Sequence, residues 1–132
     1  MNSFREFLLG RSEFKSPNEI IAIASTTDDI PAEALLIFQT SRQQTWLVAT
    51  KRDLICVLDD LNKGFTRVQW RIPKESILTE GAVKIEMRTR SKTEKTGLLD
   101  IGERRNWLYS KRLYSNDELL AKLKRMIVRN MA

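Results

Sequence analysis

The chain of 132 residues contains no histidine, one cysteine, five glycines and three prolines. Each shortage removes a class of chemistry. Without histidine there is no Ser-His-Asp or Cys-His triad, no imidazole acting as acid or base near neutral pH, and none of the common zinc sets that use it. A single cysteine has no intramolecular disulfide partner. Cys56 lies within the apolar run Leu54-Ile55-Cys56-Val57-Leu58, where a thiol behaves as a small buried hydrophobe, and this points to a reducing compartment, the cytoplasm. The five glycines form neither GxxxxGK(S/T) nor GxGxxG, so no phosphate-cradling loop and no nucleotide cofactor is expected. Nowhere do about 18 apolar residues follow one another, as a bilayer span would need. The opening segment Met1 to Leu9 carries Glu6 and has too short an apolar run for a signal peptide. Low Gly and Pro, with no repeat and no Ser- or Gln-rich tract, leave no candidate linker.

What is present suits one domain, residues 1–132. At 42% hydrophobic the chain can bury one core, whereas two domains would each be too small. The 23 basic residues exceed the 17 acidic ones by six. That excess attracts polyanions at low salt and equally serves as a solvated exterior.

Ser3-x-x-Glu6, followed by Phe4, Phe7 and Leu8 and stopped by Gly10, predicts a short helix in the lead-in, residues 1–16. An antiparallel meander is expected over residues 19–109. It begins with the β-branched run Glu19 to Ala24, read as a strand, and a turn at Thr26 to Pro31. Ala32 to Thr40 suits either a helix begun by Pro31 or a buried strand through Leu35-Leu36-Ile37-Phe38. Strands follow at Thr45 to Thr50 and Leu54 to Leu58, with Asp59 to Gly64 as a hairpin loop. The alternation Arg67-Val68-Gln69-Trp70-Arg71-Ile72 predicts a strand with Val68, Trp70 and Ile72 inward and the polar residues outward. Val83 to Arg88 repeats that pattern, and Gly97 to Ile101 and Trp107 to Tyr109 extend the meander. Ser115-x-x-Glu118 then caps an amphipathic helix over residues 115–131, with Leu119, Leu120, Leu123, Met126, Ile127 and Met131 at helical spacing. Asp117 and Glu118 at its start and Lys124, Arg125 and Arg129 toward its end complement the helix dipole. The fold class expected is α+β, mainly β: about seven antiparallel strands in a barrel or sandwich capped by the C-terminal helix.

This order resembles the pleckstrin-homology (PH) superfold. Trp46-Leu47-Val48-Ala49-Thr50-Lys51-Arg52-Asp53-Leu54-Ile55 is similar to the strand, basic turn and strand of bacterial PH-like and GRAM-type domains. Arg71-Ile72-Pro73-Lys74-Glu75-Ser76-Ile77 is similar to a strand of the same group that exits through an Ile-Pro connection. The resemblance spans about Glu19 to Met131 and implies a binding module for lipids or protein segments. In lipid-binding members the loop after the first strand supplies Lys and Arg for inositol phosphates. Here the corresponding Thr26 to Glu33 is acidic and would repel them.

Among candidate sites, Asp59, Asp60 and Glu86 are the carboxylates for a divalent metal, with Lys84 or Arg88 as electrophilic helper, but Asp59-Asp60 also reads as turn chemistry. No metal and no catalytic residue is therefore expected. The anion- or partner-binding candidates are Arg88, Arg90, Lys92 and Lys95 in one hairpin, Arg104 and Arg105 in a later turn, and Arg67 and Arg71 on an open strand face. Trp46, Trp70 and Trp107 are read as core or half-buried strand residues. The function expected is a non-catalytic module for a protein or peptide, with an anionic lipid surface second. Nucleic acid held by the basic hairpin tips is the rival, and exposed strand edges also allow pairing between copies.

Overall fold

The computed structural model describes residues 13–25, 32–79, 82–88 and 95–131. Helix α1 (Pro17–Ala24) comes first, where a strand was expected. The reason is local. Ser16 Oγ accepts from the Glu19 N–H at 3.3 Å, the Ser16 N–H donates to Glu19 Oε1 at 3.0 Å, and Pro17 occupies the first turn, where it loses no helical hydrogen bond. This capping box outweighs the β-branched isoleucines, and Ile20 and Ala24, four residues apart, both become buried. The helix expected at residues 3–10 and the turn at 26–31 lie outside the described residues.

Four strands follow as one antiparallel sheet in chain order: β1 (Glu33–Gln39), β2 (Gln43–Ala49), β3 (Asp53–Asp60) and β4 (Phe65–Pro73). Residues 33–39 are thus strand, the second of the two readings above. The β3–β4 turn is tighter than expected. Asp59 and Asp60 belong to β3, and the reversal occupies Leu61 to Gly64, whose glycine has φ 70°.

A one-turn helix α2 (Lys74–Ile77) and a small ladder of β5 (Leu78–Thr79) with β6 (Ala82–Val83) lead into a second sheet. That sheet contains β7 (Ile85–Arg88), β8 (Thr96–Ile101) and β9 (Arg104–Ser110), all antiparallel. The single strand expected over residues 83–88 is therefore divided at Lys84. Its N–H donates to the Ile77 carbonyl at 2.8 Å while its carbonyl accepts from the Gly102 N–H at 3.0 Å. The chain ends in α3 (Asn116–Met131), capped as expected: the Glu118 N–H donates to Ser115 Oγ at 3.2 Å.

The two sheets do not close into a barrel, and α3 packs against strands of both, its buried residues in the core they share. Leu119, Leu123 and Ile127 of α3, fully buried, meet Leu47, Leu54 and Cys56 of the first sheet and Leu99, Ile101 and Tyr109 of the second. Each such aliphatic side chain stabilises the fold by roughly 1.5–3 kcal/mol. Trp70 and Trp107 join the sheets through tilted rings 5.2 Å apart. The first sheet buries its other face too, where Trp46, Val48, Ile55 and Val57 receive Ile20 and Ala24 of α1.

A β-bulge opposite Cys56 and Val57 changes the expected facing of β4. Val68 pairs with Val57 and packs toward α1, whereas Trp70 pairs with Cys56 and packs into the inter-sheet core. Simple alternation had put both on one side. No helix among the described residues is long and apolar enough to cross a membrane.

Candidate functional site

Of the five expected basic residues whose side chains are described, Arg67, Arg71 and Arg88 are engaged within the fold. Arg71 donates from NH2 to the Ala24 carbonyl at 2.8 Å, which closes the C-terminus of α1, and its NH1 lies 3.5 Å from Asp53 Oδ2. Arg88 NH2 is 2.9 Å from Asp100 Oδ1, a carboxylate with 7% of its side chain exposed. Arg67 lies over the Phe65 ring with 4.5 Å from guanidinium carbon to centroid. The bulge sets Arg67 opposite Leu58 and Arg71 opposite Ile55, so the two do not share the single strand face expected of them. Arg71 and Arg104 do meet, around a shallow hollow of about 230 Å³ with Ile72, Pro73, Ser76 and Glu103. Lys95 is exposed and its carbonyl accepts from the Lys111 N–H at 2.9 Å. Arg90 and Lys92, and the side chain of Arg105, lie outside the described residues.

The acidic candidates do not gather. Asp59 is fully buried: Oδ2 accepts from the Lys15 N–H at 2.9 Å and Oδ1 from Thr66 Oγ1 at 2.8 Å. Asp60 accepts from the Lys63 N–H at 3.0 Å and from Gln43 Nε2 at 2.9 Å. These bonds, that of Lys63 first, hold its carboxyl below the usual carboxylate range. Glu86 is on the other sheet, exposed beside a hollow of about 470 Å³ that it lines with Lys84 and Asp100. Among the described residues no three metal-ligating side chains converge.

A second concavity lies between the first strand and the last helix. β1 is an edge of the first sheet. At its far end that edge is closed, because the Gln39 N–H donates to Ser110 Oγ at 3.0 Å and the Gln39 carbonyl accepts from Arg112 NH2 at 3.3 Å. At its near end Glu33, Ala34 and Leu35 border a groove of about 390 Å³, whose opposite wall is Lys122, Arg125, Met126 and Arg129 of α3. Arg129 grips Glu33 with two bonds, Nε to Oε1 at 2.6 Å and NH2 to Oε2 at 2.7 Å, and Asn130 Nδ2 adds a third at 3.1 Å. Arg129, then Asn130, hold the Glu33 carboxyl below its ordinary range against the opposing effect of burial. A smaller, more apolar hollow of about 230 Å³ lies among Phe38, Thr45, Trp107 and Leu108.

Sequence reasoning assigned Arg125 and Arg129 to the helix dipole and passed over Lys122. The available signal was their spacing. Positions 122, 125 and 129 fall on one helical stripe beside the buried Met126, but the strand they border is 96 residues away for the Arg129–Glu33 pair. The three Trp residues stand as expected: Trp46 and Trp70 are buried and Trp107 is half-buried.

No family model, no curated protein and no solved structure matches the chain.

Proposed function

We propose that the chain is a non-catalytic, PH-like binding module whose partner is a protein or peptide segment. The observation that supports it best is the near end of β1, an edge on which no strand pairs among the described residues, lying beside the closing helix with a groove between them. A series of antiparallel strands followed by a C-terminal amphipathic helix packed against them is the element order on which the PH resemblance rests. The engagement of Arg71 and Arg88 by Asp53 and Asp100 favours this reading over phosphate binding by the same arginines. A reducing cytoplasm suits the buried, unpaired Cys56.

The test is affinity capture from a lysate on the immobilised chain, beside flotation with anionic vesicles and a gel shift with duplex DNA. A discrete protein retained at raised salt is the expected result. Binding confined to vesicles, or to DNA with a steep fall as salt rises, would assign the module to those partners instead.

A further inference from the structure

The β1–α3 groove combines three properties on one surface. Its strand side is backbone at a sheet edge, and among the described residues no strand pairs with it there. Leu35 and Met126 contribute apolar lining to it. Its helix rim is basic, and the basic groups differ in availability. Arg129 is committed to Glu33, and Lys122 rests its ammonium 5.7 Å from the Tyr114 ring centroid. Lys122 and Arg125 are both exposed, and neither has a carboxylate partner among the described residues.

Geometry relates that rim to an extended chain. Lys122 and Arg125 are three residues apart on α3, an axial rise of about 4.5 Å. Alternate side chains of a strand point the same way about 7 Å apart. Two long, flexible cations easily span that difference. A second copy of this chain is the wrong occupant, because it would bring the same basic rim and a net charge of +6 to the same edge.

We infer that this groove takes an extended acidic segment of a partner protein, which adds a strand to the Glu33–Leu35 edge and sets two alternate carboxylates against Lys122 and Arg125. The inference rests on the binding-module reading above and specifies the partner chemistry that reading leaves open.

The experiment uses the whole chain and a capped, fluorescein-labelled peptide alternating Glu and Val, followed by anisotropy. Saturable binding is expected, with affinity roughly tenfold or more lower for the double variant Lys122→Glu/Arg125→Glu, as loss of two charge-assisted contacts implies. Methylating alternate backbone nitrogens of the peptide should also abolish binding, and a Lys–Val peptide of equal length should not bind. Where charge reversal lowers the melting temperature, Lys122→Gln/Arg125→Gln replaces it. Equal affinity for the variant, binding of the Lys–Val peptide, or no binding by the native chain overturns the inference. Should the double variant still retain a protein from lysate, the module reading stands and only the groove assignment falls. If neither peptide nor protein is retained, both fall.

Discussion

Arg129, in the last turn of the closing helix, holds Glu33, the first residue of the first strand, through two parallel bonds of 2.6 and 2.7 Å. The pair ties α3 to the start of β1 and lines the groove between them. It is exposed, with 61% of the Arg129 side chain accessible, so its effect on stability is small and screened by salt. Glu33→Ala and Arg129→Ala should each lower the urea midpoint slightly, Glu33→Ala somewhat more because it also removes the Asn130 bond, and the double variant should match Glu33→Ala. A full sum of the two effects, or no change at low salt, would show that the pair is not coupled. At high salt the difference from the native chain should vanish.

Gly97 faces Tyr109 across the β8–β9 ladder, and a Cβ at Gly97 would occupy the space of the phenol end of that ring. The ring cannot easily yield, being fully buried with its hydroxyl bonded to Asn116 Oδ1. Gly97→Ala should therefore destabilise by about 1–3 kcal/mol, the usual cost of overpacking, seen as a lower melting temperature. An unchanged melting temperature would mean that Tyr109 lies elsewhere.

Asp59 ties the segment before α1 to the first sheet by accepting from the Lys15 N–H. Asp59→Ala leaves that donor and the Thr66 hydroxyl without this acceptor, at a cost of about 1–3 kcal/mol. Hydrogen exchange should show α1 losing protection before the sheet does. Uniform loss throughout would contradict a local tether.

Asp60 predicts the acid limb of stability. Its folded carboxyl titrates below its ordinary 3.8 because of the Lys63 N–H and Gln43 bonds. A depressed acid contributes stability that is present above the unfolded value and disappears as pH falls through the folded one. The urea midpoint should hold steady down to about pH 4 and fall below it, and Asp60→Asn should flatten that fall. Glu33 acts in the same direction because of its bond to Arg129. An unchanged acid limb in the Asn variant would remove Asp60 as its source.

Burial pushes the Cys56 thiol up to about 12. A disulfide reagent at mildly alkaline pH should leave the native chain unmodified and label it at once in denaturant, since the thiolate is the reacting form. Rapid native labelling would place Cys56 outside the core.

How far the amino-acid order reaches into this fold depends on the range of the forces involved. The Ser115–Glu118 box and the Leu119-to-Met131 stripe define α3 within one segment, and the strands at 45–50 and 54–58 follow from their own side chains. Local signals were also sufficient at α1. The Ser16-Pro17-x-Glu19 cap outweighs the strand preference of the isoleucines that follow it.

Other features were settled by contacts between segments distant in the chain. The bulge that turns Val68 away from Trp70 arises in the pairing of β4 with β3, and no alternation within residues 67–72 contains it. The groove has the same origin. Lys122 and Arg125 look like helix exterior in any linear reading, and they become one wall of a groove only because Leu119, Leu123 and Ile127 bury α3 against both sheets. Helix caps and apolar periodicity act over a few residues and are written in the chain itself, whereas a concave surface is made by whichever distant segments the burial of apolar area brings together.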